Sequence, residues 1–234
     1  MFDLIAFDAD DTLWHNETIY VATQARLRQM LAAYASADEV DRVLHETEMH
    51  NLELFGYGIK GFTLSMIETA LAVSEGRVSA REIGQIVDLA RDMLRTEVRL
   101  LDHVEETLAR LAQDYPLMIV TKGDLRDQER RIAQSGMAHW FTHVQIVSEK
   151  SQEVYAALLA RYGVPPARFL MVGNSLRSDV LPVVALGGHA VYIPYPLTWA
   201  HETIAPEMAG DHRYHTLEHI GLLPALIEKL AAEG

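Results

Sequence analysis

The sequence predicts an α/β protein whose core is a Rossmann-like, doubly wound parallel sheet, with an all-helical domain inserted into it. Short apolar runs alternate with longer amphipathic stretches, which is typical of strands and helices in such a fold. The runs are apolar at nearly every position, as expected for strands that are covered on both faces. Residues 16–97 have helical patterns only, which indicates a second, helical domain.

The predicted elements follow from this alternation. The apolar runs predicted to be strands are 3–7, 116–120, 143–147, 168–172 and 189–193. The amphipathic stretches predicted to be helices of the core are 103–113, 125–134, 151–162 and 220–233. Gly136 and Gly163 follow two of them, where helix C-caps place glycine. The predicted domains are therefore a core of residues 1–15 and 98–234 and a helical insertion of residues 16–97.

Composition and charge exclude several classes of partner. The chain has 234 residues, of which 49% are hydrophobic, so it can bury a sizeable core. Its net charge of −13 argues against nucleic acid or an anionic membrane as the main partner. Cysteine is absent, which excludes disulfides and thiolate metal sites. We find no signal peptide and no apolar run of membrane-spanning length, so we expect a cytoplasmic protein. Its oligomeric state is not predicted.

Polar side chains follow four of the predicted strands within a few residues. In chain order they are Asp8 and Asp10, then Thr121, Lys122 and Gly123, then Lys150, and finally Asn174 and Asp179. The carboxyl ends of parallel strands meet at one edge of a sheet, where ligands bind, so we expect these residues to converge. Carboxylates, a hydroxyl, an amine and an amide together suit a divalent cation and a phosphoryl group.

These four segments resemble the four motifs of the haloacid dehalogenase superfamily, most of whose members are phosphatases. The stretch DADDTL, residues 8–13, matches the first motif, aspartate-x-aspartate-x-threonine. Thr121 matches the second motif and Lys150 the third, and GNSLRSD, residues 173–179, resembles the fourth. The helical insertion resembles the cap domain of the subgroup with helical caps. The resemblance covers nearly the whole chain.

The resemblance implies a role for each motif residue. Asp8 is expected to attack phosphorus and form an aspartyl phosphate. Asp10 is expected to protonate the leaving oxygen and then to take a proton from the attacking water. Thr121 is expected to donate its hydroxyl to a phosphate oxygen, and Gly123 to allow close approach of the backbone. Lys150 is expected to pair with the phosphate and Asp8.

The cofactor implied by the resemblance is Mg²⁺. Its expected ligands are the Asp8 carboxylate, the backbone carbonyl of Asp10 and Asp179, with Asn174 beside them. Asn174 departs from the commoner pattern, because many relatives carry an aspartate there. Its amide oxygen can still accept a hydrogen bond from a metal-bound water, but it brings no charge. Asp11, the third acid of the first motif, is assigned no catalytic role.

Three further residues are candidates for contact with substrate, each with a simpler alternative. Tyr57 and Lys60 lie in the glycine-containing stretch 54–62 between helices of the insertion, which suits a mobile loop but equally a plain interhelical turn. Lys122 follows the second strand and is either a ligand of the substrate or a surface lysine. The turn at Thr121 is also compatible with an ordinary helix start capped by Asp124.

The predicted function is that of a Mg²⁺-dependent phosphatase acting on a small phosphorylated metabolite through an aspartyl-phosphate intermediate. A 2-haloacid dehalogenase of the same fold is the first alternative, but that reaction requires neither the second acid nor the metal, so Asp10 and Asp179 argue against it. A phosphomutase shares the motifs. A non-catalytic binding protein on this fold is the remaining alternative. The sequence does not name the substrate.

Overall fold

The computed structural model describes residues 2–197, 199 and 214–233. Within these residues one parallel sheet is formed by β1 (Leu4–Phe7), β2 (Leu117–Lys122), β3 (His143–Val147), β4 (Phe169–Gly173), β5 (His189–Tyr192) and β6 (His215–Thr216). The strand order across the sheet is β3-β2-β1-β4-β5-β6, and every neighbouring pair is parallel. The predicted α/β fold with a parallel sheet is therefore confirmed.

The observed strands differ from the predicted ones mainly at their ends. β2 extends through Thr121 and Lys122, so these two residues end the strand rather than follow it. β6 was not predicted, because a strand of two residues, His215 and Thr216, has no periodicity that a sequence pattern can reveal.

The helices of the described chain are α1 (Glu17–Leu31), α2 (Ala37–Phe55), α3 (Ile59–Val73), α4 (Ala80–Arg95), α5 (Val104–Leu111), α6 (Leu125–Gln134), α7 (Gln152–Tyr162), α8 (Leu181–Ala185) and α9 (Leu223–Glu233). Short 3₁₀ turns precede β3, β4 and α9, and a π-helical turn, Leu176–Val180, precedes α8. Among these helices none is both long and apolar enough to cross a membrane.

Alternate residues of β1 pack into two separate apolar cores, one on each face of the sheet. Ile5 and Phe7 of β1 pack in one cluster with residues of α5 and α9. Leu4 and Ala6, the intervening residues, pack in another cluster with residues of α7. All four are almost completely buried. Both faces are thus covered by helices, which is why the central strands β1 and β4 are apolar at almost every position.

The chain divides into two compact units. The first consists of Met1–Glu17, Val98–Lys122 and Arg130–Gly234, and the second of Thr18–Glu97 and Gly123–Glu129. The second unit, here called the helical unit, has its own apolar core built from α1 to α4. Its helices begin at local caps, for example Ser79, which forms a reciprocal capping box with Glu82.

This division differs from the predicted boundaries at two places, and each has a local cause. Residues 16 and 17 belong to the first unit, because the Asp11 carboxylate accepts hydrogen bonds from the backbone amides of Asn16 and Glu17. Residues 123–129 belong to the helical unit, where Asp124 forms an ion pair with Lys60 of α3.

The sheet contains a topological switch point between β1 and β4. Chain connections from β1 lead to β2 and β3 on one side, and the chain then returns to β4, β5 and β6 on the other. Ligands of open α/β sheets bind at the carboxyl ends of the strands beside such a point. Asp8 follows β1 and Asn174 follows β4, so this edge holds the candidate site.

Candidate active site

The centre of the site is one buried lysine between two buried carboxylates. Nζ of Lys150 contacts Oδ1 of Asp8 and lies 2.7 Å from Oδ1 of Asp179. The three residues are 4%, 7% and 1% exposed, respectively. Residues from the ends of β1, β3 and β4, far apart in sequence, are thus brought into contact. The cluster carries one more negative charge than positive charge when both carboxyls are ionised.

Burial and the neighbouring charges together determine the ionisation of the cluster. Burial raises the pKa of Asp8 to about 7; the charge of Lys150 opposes this shift and that of Asp179 adds to it. Burial also disfavours the charge of Lys150, but the carboxylates of Asp179 and Asp8 outweigh it and hold the pKa of Lys150 well above its usual value. A further cation beside Asp8 would therefore favour its ionised form.

Asp179 is held by the π-helical turn that follows β4. Its Oδ2 accepts a hydrogen bond from the backbone amide of Ser175 at 3.0 Å, and the Ser175 hydroxyl accepts one from the amide of Ser178. The Asp179 side chain lies against the backbone of Gly173, where a Cβ atom would be only 2.2 Å from Oδ2. A glycine at the end of β4 is therefore needed to accommodate this carboxylate.

Thr12, the threonine of the first motif, links the ends of β1 and β4. Its hydroxyl lies 3.0 Å from Oδ2 of Asp8 and 3.2 Å from Oδ1 of Asn174. A hydroxyl has one proton and donates to one acceptor at a time. Because both oxygens lie within 3.2 Å of this one hydroxyl, they converge, and Asn174 lies at the site. No role was predicted for Thr12 from the sequence, although its place in the first motif indicates one.

Asp10 is fixed by two residues that the sequence reasoning missed. The indole Nε1 of Trp14 donates a hydrogen bond to Oδ1 of Asp10 at 2.7 Å. Nη2 of Arg131 lies 3.4 Å from the same oxygen. Neither residue lies in a motif, and Arg131 is 121 positions from Asp10, so no pattern in one sequence could connect them.

Thr121 and Lys122 lie at the carboxyl end of β2. Thr121 is 1% exposed, and its hydroxyl is 3.3 Å from the carbonyl oxygen of Lys122. Nζ of Lys122 lies 2.9 Å from the Ser178 hydroxyl and 3.5 Å from a carboxylate oxygen of Glu149. Lys122 is therefore not a surface lysine but is tied to the turn that carries Asp179.

The remaining candidate residues, Gly123, Lys60 and Tyr57, belong to the helical unit. Gly123 has a φ of 132°, and a Cβ atom there would lie 3.0 Å from Nε2 of Gln128. Lys60 forms an ion pair with Asp124 at 2.8 Å, which lowers the pKa of Asp124. Tyr57 is half-buried in the turn before α3. The structure thus gives Lys60 a carboxylate partner.

The same Asp124 caps the N-terminus of α6. Its Oδ1 accepts a hydrogen bond from the backbone amide of Asp127 at 3.1 Å, which is the capping arrangement considered from the sequence.

Asp11 has a structural position distinct from that of Asp8 and Asp10. Its backbone is left-handed, with φ of 60°, and its carboxylate accepts hydrogen bonds from the amides of Asn16 and Glu17 at the start of α1. Burial raises the pKa of Asp11, and that of Glu17, to about 7. Asp11 thus stabilises a helix start, which accounts for the third acid of the motif.

The donors of the site fit Mg²⁺. Asp8, Asn174 and Asp179 offer oxygen atoms only, with two of those atoms converging on the Thr12 hydroxyl. Among the residues that the structure describes, no group of three or more His, Cys, Asp or Glu side chains is arranged to hold a metal. Mg²⁺ needs no such group, since it is usually held by one or two carboxylates and retains several waters.

The chain is similar to known proteins both in sequence and in fold. Residues 2–187 match the sequence model of a family described as "Hydrolase: haloacid dehalogenase-like hydrolase". The chain is 22% identical over 204 residues to 5-amino-6-(5-phospho-D-ribitylamino)uracil phosphatase YigB of Escherichia coli (strain K12), covering 81% of this chain and 82% of that protein.

Solved structures match over almost the full length. A haloacid dehalogenase-like family hydrolase from Xanthomonas campestris is 40% identical, with a TM-score of 0.89, over 99% of this chain and 93% of that one. A 2-haloacid dehalogenase from Pseudomonas syringae pv. Tomato DC3000 is 20% identical, with a TM-score of 0.63, over 98% of this chain and 100% of that one. The second similarity concerns the fold alone.

Proposed function

The chain belongs to the haloacid dehalogenase-like hydrolase family, and we propose that it is a Mg²⁺-dependent phosphatase of a small phosphorylated metabolite. The observation that carries this proposal is the cluster of Asp8, Lys150 and Asp179, with Asp10 two residues after Asp8. The cluster combines a nucleophile, a cation for the phosphate and a second carboxylate for the metal. The similarity to an E. coli phosphatase supports a phosphate monoester as substrate.

The proposed reaction has two steps. Asp8 attacks phosphorus, the bond from phosphorus to the leaving oxygen breaks, and Asp10 gives its proton to that oxygen. Water then attacks the aspartyl phosphate and loses its proton to Asp10, and Asp8 leaves as a carboxylate. Lys150 contacts Asp8 throughout and offsets negative charge as it moves onto the phosphoryl oxygens.

The metal would be held by the Asp8 and Asp179 carboxylates, the backbone carbonyl of Asp10 and, directly or through water, the Asn174 amide oxygen. When bound, it supplies positive charge that offsets the phosphate and the excess carboxylate of the cluster. Thr121 would donate to a phosphate oxygen, and Lys122 would add a second positive charge near the turn that carries Asp179.

The helical unit is proposed to act as the cap that selects the substrate. Its insertion directly after Asp8 and Asp10 supports this role, and Tyr57 and Lys60 remain candidates for contacts with the substrate. Lys60 would then have to exchange its ion pair with Asp124 for a contact with substrate. Such contacts, remote from phosphorus, raise specificity without changing the chemistry.

Removal of halide from a 2-haloacid is the alternative activity. That reaction attacks carbon and requires neither an acid for the leaving group nor a metal. The chain nevertheless holds Asp10 with two donors to one oxygen and buries Asp179 beside Lys150. These two acids favour phosphoryl transfer.

The test compares wild type, Asp10→Asn and the exposed control Asp114→Asn, with Mg²⁺ or with EDTA. We expect wild type and Asp114→Asn to release phosphate from 4-nitrophenyl phosphate and from an alkyl phosphate only with Mg²⁺. Asp10→Asn should lose about 10²–10⁴-fold on the alkyl phosphate. Its loss on 4-nitrophenyl phosphate should be smaller, because nitrophenolate leaves without protonation. Chloride release from 2-chloropropionate in EDTA, retained by Asp10→Asn, would establish the alternative.

A further inference from the structure

Arg131, on α6, is a buried arginine whose contacts lead to the carboxylate of Asp10. It is 6% exposed. Its Nη1 donates to Oδ1 of Asn16 at 2.6 Å, and its Nη2 lies 3.3 Å from the carbonyl oxygen of His15 and 3.4 Å from Oδ1 of Asp10. Its Nε has no hydrogen-bond partner among the described residues. A buried guanidinium costs free energy unless it is paired and hydrogen-bonded. The partners of Arg131 all lie in the segment that carries Asp10.

Trp14 approaches the same carboxylate from the apolar core. It is completely buried and packs in the cluster that contains Phe7 and Leu13. Its carbonyl oxygen accepts a hydrogen bond from the amide of Asp11 at 2.7 Å. The indole is therefore held by packing and by its backbone, and its hydrogen bond to Asp10 has a fixed direction.

The indole of Trp14 and the guanidinium of Arg131 both lie next to the same atom, Oδ1 of Asp10. An oxygen that accepts from an indole N–H and faces a guanidinium is a poor place for a proton, because a carboxylic O–H is itself a donor. We propose that Trp14 and Arg131 are positioning residues that fix the orientation of Asp10, so that the proton it exchanges is carried on Oδ2. This inference rests on the proposed phosphatase function.

The proton transfers can then be written by atom. In the first step Oδ2–H of Asp10 gives its proton to the leaving oxygen, which keeps the electron pair of its broken bond to phosphorus. In the second step a proton of the attacking water moves to Oδ2, while the water oxygen bonds to phosphorus. The bond between phosphorus and Asp8 breaks, with its electron pair returning to Asp8. Oδ1 stays hydrogen-bonded to Trp14 in both steps.

The test uses Trp14→Phe, which removes the indole N–H and keeps an aromatic ring, and Arg131→Lys, which keeps the charge but not the fork of donors. The matched control is Trp140→Phe, because Trp140 packs against the same apolar cluster as Trp14. The measurement is kcat/KM for an alkyl phosphate and for 4-nitrophenyl phosphate. The ratio of the two values reports protonation of the leaving oxygen.

We expect Trp14→Phe and Arg131→Lys each to lower kcat/KM for the alkyl phosphate about tenfold more than for 4-nitrophenyl phosphate. This is less than the roughly 10²–10⁴-fold that an acid catalyst contributes, because Asp10 itself is kept. Trp140→Phe should leave the ratio unchanged. In an Asp10→Asn background, neither substitution should change the ratio further, since no proton remains to be placed. If Trp14→Phe and Arg131→Lys, each made alone in otherwise wild-type protein, lower kcat/KM equally for both substrates, their role is merely structural and the proposal is overturned.

A second measurement does not depend on turnover. The chain has three tryptophans, so an NMR spectrum should show three indole N–H signals, and Trp14→Phe and Trp140→Phe each identify one. We expect Asp10→Asn and Arg131→Lys to shift the Trp14 signal while the Trp140 signal stays in place. An unmoved Trp14 signal in both variants would overturn the proposal. Wild type inactive on both phosphates would instead refute the phosphatase function, and the indole signals would then decide the geometry alone.

Discussion

At the scale of single residues, the site is defined by a shortage of positive charge. Lys150 is the cation that contacts both Asp8 and Asp179, and all three side chains are buried. A buried charge that loses its partner is strongly destabilising, because neither water nor another ion replaces the lost contact. Burial, together with the charge of Asp179, raises the pKa of Asp8 despite Lys150, so a bound cation beside it is favourable.

Lys150→Met should therefore lower the free energy of unfolding by about 3–5 kcal/mol in EDTA near pH 8. Added Mg²⁺ should recover part of this loss, since the metal would lie beside the same carboxylates. Urea denaturation with and without Mg²⁺ measures both effects. Lys122→Met is the control, because Lys122 contacts a hydroxyl and a half-exposed carboxylate rather than two buried ones. Equal stability of Lys150→Met and Lys122→Met would contradict the assigned charge balance.

The charged residues could be predicted from the sequence, but their supporting residues could not. Asp8, Lys150 and Asp179 each follow an apolar run, so the topology of a parallel sheet was enough to predict that they converge. Trp14 and Arg131 contact Asp10 through packing of the core and through α6, and neither lies in one of the four motif segments. Such contacts depend on tertiary structure that periodicity does not contain.

At the scale of elements, the junction between β4 and the π-helical turn determines where Asp179 lies. The turn, Leu176–Val180, brings Asp179 back onto the end of β4, where its Oδ2 accepts from the amide of Ser175. Gly173 makes this possible by leaving room for the carboxylate. The strand was predicted from its apolar run, whereas the π-helical turn, one turn long, has no periodic pattern of its own.

Gly173→Ala should displace Asp179 and impair the site. The added Cβ would lie 2.2 Å from Oδ2, so the carboxylate or the strand end must shift. We expect a loss of turnover on the order of a hundredfold, as for other small misplacements of catalytic groups, together with a higher Mg²⁺ concentration for half-maximal activity. Magnesium titrations of phosphatase activity provide both values.

Gly84→Ala is the control for this substitution. Gly84 lies inside α4 with open space around its Cβ position, so alanine there should stabilise the helix by roughly 0.5–1 kcal/mol and leave turnover unchanged. If Gly173→Ala and Gly84→Ala have the same turnover and need the same Mg²⁺ concentration for half-maximal activity, the backbone at residue 173 does not constrain Asp179.

At the scale of the whole molecule, the chain combines a parallel sheet with a separately packed helical unit. Each has its own apolar core. No strand pattern occurs between residues 16 and 97, and the structure has the four helices α1 to α4 in this range. The transfer of residues 123–129 to the helical unit was not predictable, because it depends on contacts such as that between Lys60 and Asp124.

The central claim is that Asp8 becomes covalently phosphorylated, and trapping that intermediate tests it most directly. Borohydride reduces an acyl phosphate to an alcohol and would convert phosphorylated Asp8 to homoserine. The protein is mixed with Mg²⁺ and a phosphate ester, treated with borohydride and mapped by peptide mass spectrometry, with Asp8→Asn and omission of the ester as controls. We expect homoserine at position 8 only in wild type with the ester. An unmodified Asp8 in wild-type protein that is turning over the ester, or homoserine at another aspartate, would contradict it.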